Sequence, residues 1–127
     1  MKKPRIPIPK EHAEQAALMK WIDAQVHVHD GFDMAFAIPN GGARNAVTGA
    51  MLKAEGVKAG VPDVMIAAPK FGYHGLYIEM KRRNGGAGAS EPQQEWIEKL
   101  RNHGYRVEVC NGCDAAIKVI KDYFRIS

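Results

Sequence analysis

Two acids and a lysine stand inside apolar stretches of this sequence, where charged side chains are unusual. Asp63 opens the run DVMIAA, and Glu79 and Lys81 lie two residues apart within LYIEMKR. Because side chains alternate along a strand, Glu79 and Lys81 share one face, and Asp63 can reach Glu79 from the start of the neighbouring strand. The pattern predicts a compact group of two carboxylates and one amine.

This group of charges indicates a particular chemistry. Two carboxylates held close together repel, and one would take up a proton unless a divalent cation were bound between them. Such a cation can polarise a phosphoryl oxygen and lower the pKa of a water, which a nearby lysine can position or deprotonate. The group therefore favours phosphodiester hydrolysis. An E-x-K pair also occurs on solvated edge strands, where it serves solubility, so the pair alone does not establish a site.

A third acid belongs to a helical pattern near the N-terminus. Residues 11–28 show helical spacing, and one face of this helix carries Glu14, Ala17, Leu18, Trp21, Ile22 and Gln25. This face should lie against the core, so we expect Glu14 to point inward. Three inward acids in so small a core would call for a shared cation.

The remaining pattern predicts a mixed α/β sheet covered by helices on both faces. A buried strand at 34–38 is followed by strands at 63–68, 76–82 and 105–110, and helices are predicted at 46–56, 91–103 and 114–124. Ser90 and Gln93 form an S-x-x-Q capping box for helix 91–103. The strands at 63–68 and 76–82 should pair as a hairpin, and the strands on either side of helix 91–103 should pair in parallel.

Composition bounds the class of protein. The chain has 127 residues, of which 46% are hydrophobic and 25% charged, which fits one globular domain. Residues 1–10, rich in lysine and proline, predict an extended basic arm, and residues 11–127 form the domain. No signal-like or membrane-spanning segment is found, which favours a cytoplasmic protein without membrane contact. The excess of four positive charges is compatible with a nucleic-acid partner.

Two further features remain open at this point. Cys110 and Cys113 form a C-N-G-C pair, which could be a redox motif, half of a zinc site or a chance pair beside a strand end. Gly41, Gly42 and Arg44 could contact a phosphate through backbone amides and a guanidinium group, or could form a plain turn between a strand and a helix.

The order of these motifs resembles a known family. The stretch GVPDVMI…LYIEMKRRNGGAGASEPQQEWIEKL, together with IPNGGARN and the early helix with its glutamate, looks like the VRR-NUC family of the PD-(D/E)XK nuclease superfamily, over roughly residues 11–122. The resemblance implies a restriction-endonuclease-like fold and a DNA endonuclease that depends on Mg²⁺ or Mn²⁺.

The resemblance also implies roles for individual residues. Asp63, Glu79 and the backbone carbonyl of Met80 would bind the metal, and Lys81 would be the catalytic lysine. Glu14 would complete the acidic cluster, and Gln94, in the helix after E-x-K, would support the site. The residues predicted to contact DNA are Asn40, Gly41, Gly42, Arg44, Arg82 and Arg83.

The substrate and the assembly follow from the same resemblance. Small standalone members are expected to be homodimers that resolve four-way junctions, so we expect a homodimer that cuts branched DNA. The predicted dimer contacts are the arm (residues 1–10) and apolar surface around Tyr123 and Phe124. Two alternatives remain: a nicking or other nuclease acting on a different nucleic acid, and a DNA-binding module without catalysis.

Overall fold

One mixed sheet organises the molecule. The computed structural model describes residues 7–39 and 46–127, and only the backbone of Ala46 and Val47. The helices are α1 (Glu11–Asp23), α2 (Ala46–Ala54), α3 (Glu91–Asn102) and α4 (Cys113–Phe124), and the strands are β1 (Ala35–Ala37), β2 (Val64–Ile66), β3 (Leu76–Lys81) and β4 (Arg106–Asn111). The strand order is β1-β2-β3-β4.

The strand pairings agree with the predicted sheet. β2 pairs with β1 and with β3 in antiparallel fashion, and β3 pairs with β4 in parallel across the crossover helix α3. The mixed four-stranded sheet flanked by helices is therefore confirmed. A parallel pair needs such a crossover because both strands run in the same direction.

The two faces of the sheet are covered by different helices. Val64, Ile78 and Met80 point to one face, where they form the main core with α1 and α4, including Leu18 and Ile120. On the other face, α3 packs on β4 through Ile97 and Val107, both of which are buried. Glu79 and Lys81 share this second face with Val107 because side chains alternate along the strands.

Helix α1 is shorter than its pattern predicts. It ends at Asp23 instead of continuing to Val28, and residues 24–30 form turns in which Val28 is exposed. The predicted inward stripe is correct for Glu14, Leu18 and Ile22, which are buried one turn apart, whereas Ala17 is exposed. The β-branched Val26 and Val28 and the histidines between and after them favour helix less than the residues before them.

The prediction of a buried first strand was wrong. β1 has three residues and lies at the edge of the sheet, and Phe36 is 46% exposed. The apolar composition of residues 34–38 predicts burial. An edge strand, however, has a neighbouring strand on one side only, so its side chains are less covered. A short 3-10 turn, Phe32–Met34, precedes it and supplies the buried Phe32.

The predicted apolar surface around Tyr123 and Phe124 is part of the core instead. Tyr123 is 2% exposed and Phe124 is 8% exposed, and the Tyr123 hydroxyl donates a hydrogen bond to the Ala68 carbonyl. These two aromatic residues are therefore not dimer contacts. Among the described residues, no helix combines the length and the apolar composition required to cross a bilayer.

Candidate active site

The predicted acids and lysine come together where β2 and β3 separate. Glu79 and Lys81 are 1% and 6% exposed, and Lys81 Nζ lies 3.8 Å from Glu79 Oε1. The carboxyl group of Asp63, the residue before β2, is close enough to Glu79 to share a hydrogen bond with it. The sequence thus places two carboxylates and one amine in a single cluster, as its spacing predicts.

The proline before Asp63 explains why the hydrogen bonds between β2 and β3 end at this point. Val64 pairs with Ile78, so the same register would set Pro62 opposite Met80. Proline has no N–H to offer, and the Met80 N–H instead donates to Asp63 Oδ2 at 2.7 Å. The N–H and C=O of a strand residue point to the same side. The Met80 carbonyl is therefore directed toward the Asp63 side of the site, without a donor from Pro62.

The electrostatics of Glu79 are unusual. Burial, which is the largest cause, acts together with the charge of Asp63 and the hydrogen bond between the two carboxyl groups to raise the pKa of the Glu79 carboxyl to about 9, while Lys81 opposes the shift. When both carboxyl groups are ionised, the buried Glu79 Oε2 has no hydrogen-bond donor among the described residues, because a hydrogen bond between two carboxyl groups needs a proton on one of them. An unpartnered buried carboxylate oxygen is costly, so this atom is suited to a bound cation or a proton.

The glutamine at the site is Gln93, the neighbour of the predicted Gln94. Gln93 Nε2 donates to Glu79 Oε1 at 2.9 Å, and Gln93 Oε1 accepts from Lys81 Nζ at 2.9 Å. The same oxygen accepts from the Ser90 N–H, which completes the predicted capping box of α3. Gln94 is exposed and donates to the Ala89 carbonyl instead. Successive helical residues point about 100° apart, so only one of the two can face the site.

The loop before Asp63 packs on the start of α3, which brings Gln93 to the site. Gly60 has a φ of 90°, and a Cβ there would lie 2.7 Å from the backbone of Pro92. Only glycine allows both the positive φ and this close approach. The G-V-P-D segment therefore fixes the position of Asp63 and of the helix that carries Gln93.

Glu14 is buried as predicted, but its partners differ from the expected ones. Its carboxylate lies 2.9 Å from Arg83 Nε and 3.5 Å from the Cys113 N–H. The acid of α1 that acts electrostatically on Glu79 is Glu11, whose charge raises the Glu79 pKa. Glu11 is exposed at the first position of α1. The helical spacing predicts that Glu14 is buried. No sequence pattern of that kind predicts that the exposed Glu11, at the start of the helix, acts on Glu79.

The donor set fits a divalent cation. No group of three or more His, Cys, Asp or Glu side chains within residues 7–39 and 46–127 is arranged to hold a metal ion. Mg²⁺, however, keeps several waters and is commonly bound by one or two carboxylates together with substrate phosphates. Two adjacent carboxyl groups and one oxygen without a partner match that mode of binding.

The predicted DNA contacts fall into two groups. Arg82 donates to the backbone carbonyls of Ile8 and Pro9, so it anchors the described end of the arm against the end of β3. The side chain of Arg83 is 65% exposed and is held by Glu14. The remaining predicted contacts lie outside the described residues: Asn40, Gly41, Gly42 and Arg44.

The cysteine pair shows no sign of reactivity. Cys110 is a free, buried thiol whose pKa is raised by burial to about 12, and burial also raises the pKa of the free Cys113 thiol. Reactive cysteines have lowered pKa values, since the thiolate is the nucleophile and the metal ligand. The structure therefore favours a packing role, with Cys110 in the core.

Comparisons with known proteins agree with this fold. The family model of the VRR-NUC domain matches residues 8–114. A solved structure described as "VRR_NUC domain protein" has a TM-score of 0.77 and 33% sequence identity, and the match covers 95% of this chain and 93% of that one. A search of curated proteins finds no match. The chain therefore belongs to the VRR-NUC family and has its nuclease-type fold.

Proposed function

We propose that this protein is a metal-dependent DNA endonuclease. The observation that carries the proposal is the buried Glu79 Oε2, which has no partner among the described residues and lies beside the Asp63 carboxyl group and the Lys81 amine. A purely structural domain has no need for such a cluster, because a buried charge without full pairing destabilises the fold. A catalytic function accounts for the presence of such a cluster.

The residues that would hold the ion are Asp63, Glu79 and the Met80 carbonyl, with Mg²⁺ or Mn²⁺ as the proposed cofactor. When bound, such an ion supplies Lewis-acid polarisation of the phosphodiester and a water of lowered pKa. Glu79 must lose its proton to bind the ion, since its pKa is raised to about 9. Glu11 is the proposed additional acid at this site.

Lys81 is the proposed catalytic lysine. Its amine is held 2.9 Å from Gln93 Oε1 and 3.8 Å from Glu79 Oε1. In this position it can orient the attacking water and stabilise the negative charge that develops on the phosphate. Gln93 takes the supporting role that was predicted for Gln94, because one amide fixes both Lys81 and Glu79.

Branched DNA and a homodimer complete the proposal. One domain of this size with a net charge of +4 has little surface for DNA, whereas a twofold dimer would present two sites to a near-twofold junction. We retain residues 1–10 as a basic arm next to the nuclease domain at 11–127. Phe36 in the edge strand β1 is 46% exposed and Met34, the residue just before β1, is 43% exposed, and these two are the proposed apolar contacts in place of Tyr123 and Phe124.

The test is a cleavage panel of linear, nicked, flapped and four-way DNA in Mg²⁺, Mn²⁺, Ca²⁺ or EDTA. We expect cleavage in Mg²⁺ or Mn²⁺ with a preference for four-way DNA, and little in Ca²⁺ or EDTA. Lys81→Ala is the control, which should bind DNA without cutting it, and sedimentation should show a dimer at micromolar concentration.

Each arm of the panel can fail separately. Full activity in EDTA would overturn the metal-dependent mechanism. Equal cleavage of linear and four-way DNA, or a monomer in sedimentation, would remove the junction and dimer proposals and leave a simpler nuclease. Binding without cleavage in every metal would favour the non-catalytic module.

A further inference from the structure

Glu14 and Arg83 form an ion pair that the proposed metal site does not use. Glu14 Oε2 lies 2.9 Å from Arg83 Nε, and Oε1 lies 3.5 Å from Nη2. The Glu14 side chain is 2% exposed and that of Arg83 is 65% exposed. A buried carboxylate thus holds an arginine whose side chain faces the solvent, two residues after Lys81.

The ion pair stands where three elements meet. Glu14 belongs to α1, Arg83 follows β3, and the Cys113 N–H at the start of α4 donates to Glu14 Oε1 at 3.5 Å. Gly112 has a φ of 90°, and a Cβ there would lie 2.9 Å from Glu14 Oε2 and 2.9 Å from Arg83 Cγ. The Gly112 N–H donates to the Lys81 carbonyl. The pair is therefore tied to the backbone of the proposed catalytic lysine.

Arg83 keeps donors for a ligand. Two of its five guanidinium N–H groups, one on Nε and one on Nη2, are directed at Glu14. The Nη1 group makes no hydrogen bond with any residue in 7–39 or 46–127. A planar guanidinium with free donors matches a phosphate, and a fixed orientation lowers the entropy lost when the contact forms.

We propose that Glu14 is a positioning residue that orients Arg83 toward a backbone phosphate of the bound DNA, outside the metal site. This inference rests on the proposed DNA nuclease. It assigns Glu14 to the binding of DNA, in place of the acidic cluster around the cation. A role limited to stabilising the start of α4 would lower stability without changing how DNA is bound.

Steady-state kinetics on a four-way junction in Mg²⁺ separate these roles. An amide offers one acceptor oxygen to the donors of Arg83 and Cys113, so Glu14→Gln must lose one of the two contacts. We expect Glu14→Gln and Arg83→Gln each to raise KM about tenfold, the scale of one charge-assisted hydrogen bond, with kcat and the half-saturating Mg²⁺ concentration unchanged. The double variant should be no worse than Arg83→Gln. The matched control is Asp23→Asn, an exposed acid at the end of α1, which should leave KM within about twofold.

Junction binding in Ca²⁺, measured against salt concentration, gives a readout without cleavage. Loss of one phosphate contact in Arg83→Gln should reduce the slope of log K against log salt by about 0.9. Thermal melts check that each variant is folded, and Arg83→Gln tests the contact if Glu14→Gln does not fold.

The outcomes decide between the two proposals. A fall in kcat or a shifted Mg²⁺ requirement in Glu14→Gln would place Glu14 in the metal site and overturn the inference. An unchanged salt slope in Arg83→Gln, or additive effects in the double variant, would also overturn it, while the nuclease proposal would stand. If the wild-type protein binds the junction without cutting it, the nuclease proposal is refuted. A reduced salt slope in Arg83→Gln would in that case still support the phosphate contact.

Discussion

Glu79 and Glu14, the two buried glutamates among the described residues, are equally hidden from solvent and have very different partners. Glu79 is 1% exposed and Glu14 is 2% exposed. Glu14 has a guanidinium and a backbone N–H on its oxygens, whereas Glu79 Oε2 has no partner among the described residues and its pKa is raised to about 9. Burial alone therefore does not distinguish the two glutamates, and the unsatisfied oxygen is what makes Glu79 the proposed metal ligand.

The difference arises from what lies beside each carboxylate. Glu79 shares its surroundings with a second acid, Asp63, and with an amine that Gln93 also holds. Glu14 faces an arginine and the N-terminus of α4, where the helix dipole favours a negative charge. When ionised, Glu79 and Asp63 repel each other, and a bound cation can relieve that repulsion. The charge of Glu14 is neutralised by Arg83 without a cation.

The largest expected effect is the loss of the Asp63–Glu79 cluster. Asp63→Ala and Glu79→Ala should each lower the rate of cleavage by about a thousandfold or more, because the cation loses a carboxylate ligand. Single-turnover kinetics measure the rate, and Mg²⁺ titration by calorimetry should show weakened binding with the fold retained. Glu98→Gln, an exposed acid on α3, is the control and should leave the rate unchanged. Wild-type rates in either alanine variant would refute the site.

A smaller effect should separate Gln93 from Gln94. Gln93→Ala should lower the rate by about 10- to 100-fold, the range for a residue that orients a metal ligand, and should also weaken the cap of α3. Gln93→Glu keeps an acceptor for the Ser90 N–H and Lys81 but loses the donor to Glu79. It should therefore retain helix stability and still lose activity.

The control for this comparison is the adjacent residue. Gln94→Ala removes an exposed amide that contacts the Ala89 carbonyl, so the rate should stay within about twofold. If Gln94→Ala lost as much activity as Gln93→Ala, then the side-chain placement in α3 would be wrong.

The smallest effects concern stability and should have opposite signs at the two glutamates. In EDTA at pH 8, Glu79→Gln should raise the free energy of unfolding, because the folded wild type must hold a proton that the unfolded chain has lost. Glu14→Gln should lower it by about 2 kcal/mol through the loss of a hydrogen bond to a charged group. Urea denaturation measures both, and the same sign at both positions would contradict the comparison.

The pH dependence sharpens this test. The Glu79 pKa rises from its usual 4.5 to about 9 on folding, so the folded state binds one more proton between these pH values. The unfolding free energy of the metal-free wild type should therefore contain a term that falls as pH rises from about 4.5 to about 9. Glu79→Gln should remove that term. Asp63→Asn should shrink it, because the Asp63 charge is one cause of the shift. A slope that Glu79→Gln leaves unchanged would contradict the assignment.

Much of the fold and the core of the site could be predicted from local pattern. Alternation along β3 places Glu79 and Lys81 on one face, and the i, i+4, i+8 spacing in α1 identifies Glu14, Leu18 and Ile22 as inward, because both depend only on the periods of strand and helix. The capping box at Ser90 and Gln93 is likewise a local motif.

Tertiary structure decided which partners those side chains meet. The periods of strand and helix do not show that Gln93, and not its neighbour Gln94, contacts Lys81. That contact depends on how the start of α3 packs against Gly60. Nor does a helical stripe show that Glu14 meets Arg83, while the exposed Glu11 acts on Glu79. The sequence by itself determined which charges are buried, because burial follows from a repeating local pattern. Only the tertiary structure decided which of them are neutralised, because pairing depends on contacts between residues far apart in the chain.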